Sequence, residues 1–253
     1  SPQAHSHMKK ALQIIAAVLA CSALCYIIYV WGQVDDYPRK IWLHRCNSIE
    51  KLKEKEHRYP NVEVDICLRP GGVMDVTHDE DTTFHLGIGP YMQYLARHPE
   101  RHIWLDIKNL SEDNQQQFKR VLDSLVWTYG VDKGQMVIES PRWQLLFPFT
   151  RDRYYTSCYV TAPRPSSLTK WQRDSVVSRL GTVARSGCVR ALSFPAYWYN
   201  TLRWQFRDEP IDYLAWMNHR TQMWMLLDPL GQVMLRDPRL KVILVKDKGH
   251  YHR

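Results

Sequence analysis

The sequence predicts an α/β protein: a (β/α)8 TIM barrel, with an irregular link between its fourth and fifth strands, preceded by one N-terminal transmembrane helix. Three observations lead there. An apolar run occupies residues 11–31, eight short runs rich in β-branched and aromatic residues recur after it, and helix-like stretches separate most of those runs. Strand and helix in alternation imply a parallel sheet, and eight repeats suggest that the sheet closes on itself. About 220 residues follow the apolar run, near the ~250 of a typical barrel.

The first element reads ALQIIAAVLACSALCYIIYVW, about the length a helix needs to cross a bilayer core. No polar residues line one face, which argues against a buried core helix. Lys9 and Lys10 precede the run and Asp35 and Asp36 follow it, so the positive-inside rule puts the N-terminus in the cytoplasm and the rest outside. Met8 before two lysines looks like a bacterial start, which makes residues 1–10 a cytoplasmic or tag-derived segment. The expected location is a bacterial inner membrane, single-pass, with the barrel periplasmic or extracellular. Residues 18–21, VLAC, are close to a lipoprotein cleavage box, but apolar residues continue beyond Cys21 and an uncleaved anchor fits that continuation better. Residues 32–40 then form a linker, and 41–253 the barrel.

Within the barrel, strands are expected at 41–45 (IWLHR), 62–69 (VEVDICLR), 102–108 (HIWLDIK), 135–140 (QMVIES), 154–160 (YYTSCYV), 189–194 (VRALSF), 222–228 (QMWMLLD) and 241–247 (KVILVKD). Helices are expected at 48–59, 89–98, 111–129, 167–186 and 209–219, and VMDVTHD (73–79) adds an extended piece after the second strand. A composition of 45% hydrophobic and 24% charged residues excludes a disordered or collagenous chain. Six cysteines without a C-x-x-C pair exclude a dense disulfide framework and argue against structural zinc. Outside the membrane disulfides are permitted, and Cys158 on the fifth strand and Cys188 just before the sixth could be neighbours, but a bridge between adjacent parallel strands is awkward, so free thiols are expected. The net charge of +8 favours an anionic partner. The basic residues are dispersed and no nucleic-acid module appears, so nucleic acid is not the expected one.

Side chains alternate along a strand, so Trp42 shares a face with His44, Glu63 with Asp65, and Trp104 with Asp106 and Lys108. Because the ionisable groups come late in each strand, an imidazole, three carboxylates and an ammonium reach the C-terminal mouth, where barrel active sites lie. His78 follows on the extended piece. A lone E-x-D would be read as solvated residues at a strand end. Three carboxylates buried together instead demand compensation, and a hard divalent cation supplies it most simply. Glu139 ends a strand and either faces the mouth or caps the strand. Trp224 and Asp228 are candidates for the pocket lining or for packing.

H-R at 44–45, E-x-D at 63–65, H-D at 78–79 and D-x-K at 106–108 together resemble the glycerophosphodiester phosphodiesterase and phospholipase C-like superfamily. The resemblance implies a phosphoric diester hydrolase acting on a glycerophosphodiester or phospholipid headgroup. It implies His44 and His78 as the acid/base pair, Glu63, Asp65 and Asp106 as ligands of one Mg²⁺ or Ca²⁺, and Arg45 and Lys108 as phosphate-binding cations. It covers residues 41–109; beyond them only the rhythm of strands and helices agrees. The chain departs from the bacterial pattern, with Cys46 where H-R-G has glycine, no P-E-N-T element, and Asp106 where the third acid is usually Glu. Asp there is similar to sphingomyelinase D, and W-x-H-x-x-N-S at 42–48 is similar to the menorin-type family. The competing expectation is a catalytically inactive protein that binds a headgroup or an envelope component.

Overall fold

The computed structural model describes residues 2–36, 39–217 and 222–251. Its first element, α1 (Pro2–Asp36), carries the apolar run and continues past Trp31 into the stretch expected as linker. Within Gln3–Gly32 the most apolar 18 residues have a mean hydropathy of 2.3 and none of them is buried, so the helix is long and apolar enough to cross a membrane. The last turns of α1 rest on the barrel: Val30 is buried, the Tyr26 hydroxyl donates to the Leu227 carbonyl at 3.0 Å, and Arg236 donates to the Tyr29 hydroxyl.

Eight parallel strands close the barrel in the order β1 (Ile41–Leu43), β2 (Val62–Arg69), β4 (Ile103–Ile107), β5 (Met136–Ser140), β6 (Tyr155–Tyr159), β7 (Ala191–Pro195), β8 (Asp212–Met217) and β9 (Leu240–Val245). Strand β9 pairs back onto β1, and β3 (Val73–Val76) lies antiparallel on the end of β2. The expected extended piece is therefore a hairpin partner that hangs the following loop, with His78, beside the mouth. The helices between strands are α2 (Ile49–Lys55), α3 (Gly89–Arg97), α4 (Gln115–Tyr129), α5 (Phe147–Arg151), α6 (Lys170–Arg185), α7 (Tyr199–Gln205), α8 (Gln222–Leu227) and α9 (Pro229–Arg236). Between β5 and β6 the main helix is the five-residue α5, in keeping with the irregular link expected there.

Strand alternation sorts the core into two layers. Trp42, Trp104, Val137, Ala191, Leu214, Trp216, Val242 and Leu244 fill the barrel interior. Their neighbours in sequence, such as Leu43, Ile103, Leu105, Ile138, Leu192, Tyr213 and Ile243, pack outward against the helices.

One strand differs from the sequence expectation. Residues 222–228 are not a strand: Gln222–Leu227 is α8, and the seventh barrel strand is β8, within the stretch expected as a helix at 209–219. DYLAWM buries Leu214 and Trp216 inside the barrel and Tyr213 and Ala215 outside it. A strand apolar on both faces loses its period of two, and Leu, Ala and Met are good helix formers, so neither periodicity nor propensity marks it. Asp228 accordingly lies outside the mouth, where its side chain accepts from Leu230 N at 2.9 Å and caps α9. The side chain of Trp224 falls outside the described residues, as does His219. All six cysteines are free thiols.

Candidate active site

The groups at the mouth are set by three neighbouring strands. Parallel pairing puts Asp65 opposite Asp106 and Glu63 opposite Trp104, so the inward carboxylates of β2 and β4 lie in adjoining rows. One oxygen from each of Glu63, Asp65 and Asp106 falls within 4.8 Å of the others. Glu63 and Asp65 are buried, and Asp106 is partly open to the mouth. Lys108 reaches back over them, its ammonium 2.8 Å from Asp65 and 2.5 Å from Asp106.

His44 and Arg45 occupy the turn that leaves β1. Arg45 has φ +52, a left-handed conformation uncommon outside glycine. Three contacts hold it there: its own N–H donates to Glu63 Oε2 at 2.6 Å, and the Lys51 ammonium donates to the Arg45 and His44 carbonyls at 2.7 and 3.3 Å. The next carbonyl, of Cys46, accepts from the Tyr91 hydroxyl at 2.6 Å. The Arg45 guanidinium is 3.9 Å from Asp65, and His44 Nε2 is 3.7 Å from Glu63. Asn47 completes the turn, donating to Asp65 Oδ2 at 2.7 Å while its own amide oxygen accepts from Asp65 N at 3.0 Å.

His78 approaches from the other side. Its loop is tied to β2 by Thr77 N donating to the Asp65 carbonyl at 3.1 Å, and Arg69 braces it through Asp75 at 2.9 Å and through the carbonyls of Glu80 and Thr82. His78 Nδ1 lies 2.7 Å from Asp79. His44, Arg45, Glu63, His78, Asp106 and Lys108 all line one cavity of about 270 Å³. Asp65 lies just behind its wall.

Burial pushes the Glu63 carboxyl well above its usual range, and the Asp65 and Asp106 charges push it the same way. Asp106 is also raised, by burial first, with Lys108 opposing and Asp65 adding. Burial acts upward on Asp65 too, but Lys108 and the Asn47 amide hold it below the usual carboxylate range. Glu63 Oε1 is buried without a hydrogen-bond partner. Three convergent carboxylates, two of them pushed toward the neutral form and one with an orphaned oxygen, fit a hard divalent cation. His44 is pushed down to about 3, chiefly by burial, so its imidazole is neutral at ordinary pH.

Two groups, one lining the mouth and one buried behind it, had weak or no sequence signal. Glu139 lines the same cavity, stands opposite Asp106 in register, accepts from the Ser193 hydroxyl and is 2% exposed. Aligning the strand ends would have pointed to it, since QMVIES places Glu139 where HIWLDIK places Asp106. Lys51 gave no signal, because a lysine in IEKLKEK reads as a solvated helix face.

No protein-family model matches the chain, and no curated protein matches it. Solved structures do. A glycerophosphodiester phosphodiesterase from Parabacteroides distasonis is similar at 12% identity and a TM-score of 0.56, over 81% of this chain and 92% of that one. A phosphodiesterase from Oleispira antarctica, solved with its product sn-glycerol-3-phosphate, is similar at 12% identity and a TM-score of 0.56, over 84% of this chain and 94% of that one. At that identity the likeness is one of fold. The barrel at whose mouth these residues meet is the fold of those two phosphodiesterase structures.

Proposed function

We propose that this protein is a metal-dependent phosphodiesterase that cleaves a glycerophosphodiester or a phospholipid headgroup diester. One observation carries the reading: three convergent carboxylates, two histidines, an arginine and a lysine surround a single cavity at the mouth of a phosphodiesterase-type barrel. The product in the Oleispira neighbour is consistent with a small phosphodiester substrate.

Cleavage requires charge to be neutralised on the phosphoryl oxygens, a hydroxyl to be deprotonated and a leaving oxygen to be protonated. Glu63, Asp65 and Asp106 would hold one Mg²⁺ or Ca²⁺, which supplies positive charge to the phosphoryl group. Arg45 and Lys108 orient the phosphate and share its charge. His44 and His78 form the acid/base pair, one accepting the proton of the attacking hydroxyl and the other returning a proton to the leaving oxygen. Helix α1 anchors the chain as a single pass in a bacterial inner membrane, with the barrel outside the cytoplasm.

The test is hydrolysis of bis(p-nitrophenyl) phosphate and glycerophosphocholine by the purified full chain, with Mg²⁺ or Ca²⁺ and with chelator. Turnover that vanishes with chelator and in Asp65→Asn supports the reading. An inert protein in every cation overturns it in favour of a binding role.

A further inference from the structure

The contacts between α1 and the barrel fall inside the apolar run, not beyond it. Val30 is fully buried, the Tyr26 hydroxyl donates to the Leu227 carbonyl at 3.0 Å, and Arg236 donates to the Tyr29 hydroxyl. At about 1.5 Å per residue, the run at 11–31 is about 31 Å long. A bilayer core is about 30 Å thick, so a run that fills it puts Trp31 at its outer edge. Tyr29 and Tyr26 then start about 3 Å and about 8 Å below that edge. The barrel groups that touch them, on α9 and at the end of α8, are thereby held in the headgroup layer, which is about 5–8 Å deep on each side.

The surface around these contacts has the composition that layer selects. Helix α9 exposes Pro229, Val233 (43%) and Arg236, spaced by four and then three residues and so on one face. Asp237, at the end of α9, accepts from the Tyr199 hydroxyl of α7 at 2.6 Å, which sets α7 beside it. At the end of α7, Trp204 is 62% exposed, with the Arg203 guanidinium 5.2 Å over its ring. Arg207 follows, exposed and paired with Asp208 at 3.4 Å. Tryptophan and tyrosine rings settle at headgroup level, and arginines beside aliphatic side chains meet the lipid phosphates. We propose that the barrel docks on the bilayer by its side, with α9 and the end of α7 in the headgroup layer of the leaflet that Trp31 reaches. This rests on the reading of α1 as a membrane anchor and adds a second contact with lipid, which fixes the barrel's orientation.

Depth is read by a fluorophore on a single cysteine. The full chain carrying Cys21→Ala, Cys25→Ala and Cys188→Ala keeps only buried native thiols. To it is added Leu19→Cys, Val233→Cys or Trp127→Cys, and each labelled protein is reconstituted in vesicles of phosphatidylcholine with about one-third phosphatidylglycerol, an anionic surface that suits the arginines. Quenching is measured with nitroxide lipids labelled on the headgroup or on the acyl chain. Trp127, 89% exposed on α4, is the reference, because α4 lies four crossovers round the barrel from α9. Docking requires the headgroup nitroxide to quench the label of Val233→Cys about fivefold or more above that of Trp127→Cys. Should Val233→Cys melt early, Trp204→Cys carries the same expectation. Equal quenching on the two sides, with the label of Leu19→Cys quenched from the acyl chains, describes a barrel free on its tether; it overturns the docking and leaves the anchor standing. A label of Leu19→Cys that the acyl-chain nitroxide does not reach overturns the anchor, and the docking with it.

Discussion

The Lys51 ammonium, fully buried behind the mouth, donates to the backbone carbonyl of Arg45 at 2.7 Å. Together with the His44 carbonyl it accounts for two of the three consecutive turn carbonyls that take a side-chain donor, the third being Cys46 with Tyr91. The contact explains how a non-glycine residue keeps φ +52 at the turn that brings Arg45 to the cavity. Burial pushes the ammonium down to about 8, against the pull of Cys46, Glu63 and Asp247, so it remains largely charged at neutral pH.

Lys51→Met should therefore disturb the turn without touching the cavity. Leaving two buried carbonyls unmatched costs about 1–3 kcal/mol, less whatever is returned by removing a buried charge. Displacing His44 and Arg45 by a fraction of an ångström should lower kcat on the order of ten- to a hundredfold. Lys51→Arg should recover part of the rate. Steady-state kinetics beside a denaturation curve checks both, and an unaltered kcat in Lys51→Met would remove the positioning role.

Metal binding should be linked to pH with a definite sign. In the metal-free protein Glu63 and Asp106 are raised above their usual values of 4.5 and 3.8. The native state then keeps protons that the unfolded chain releases, so their contribution to stability is present at low pH and is lost as pH rises through the unfolded values toward the raised ones. A divalent cation displaces those protons. The increase in melting temperature on adding Mg²⁺ or Ca²⁺ should grow from about pH 5 to about pH 8, and Glu63→Gln should lose most of it. A shift independent of pH would refute the assignment of these carboxylates as the ligands.

His44→Ala and His78→Ala should each lower kcat by about two to four orders of magnitude, the usual cost of losing a general acid or base. Their KM values should change much less. If either variant kept near-wild-type turnover on every diester tried, the two-histidine mechanism would fail.

Thiol chemistry follows burial. Burial pushes Cys46 and Cys158 up to about 12 and Cys67 up to about 11, so all three should resist alkylation in the native protein. Cys188, half-buried, should react first among the barrel cysteines. All six should titrate as free thiols under denaturing, non-reducing conditions. A count of two or four would reveal a bridge.

Topology is tested by a reporter at the C-terminus, which should be active only outside the cytoplasm. A cytoplasmic signal would overturn the orientation while leaving the chemistry of the mouth untouched.

Most of the carboxylate site was legible in the sequence because parallel strands translate local order into shared height. Glu63, Asp65 and Asp106 are each an even number of residues from an inward Trp or another acid, so alternation alone puts them on one wall. The long apolar N-terminal helix was legible for a similar reason, since length and hydropathy are local properties. What lay beyond the sequence depended on neighbours distant along the chain. Strand β8 is apolar on both faces because both are buried, one in the barrel and one under helices, and a residue string does not state that. Lys51 became a structural cation only when α2 folded back over the His44–Arg45 turn. Glu139 became a cavity residue only when β5 paired with β4 in the register that sets it opposite Asp106. Local pattern determined which residues could reach the mouth; closure of the barrel and the register of its strands decided which of them meet there.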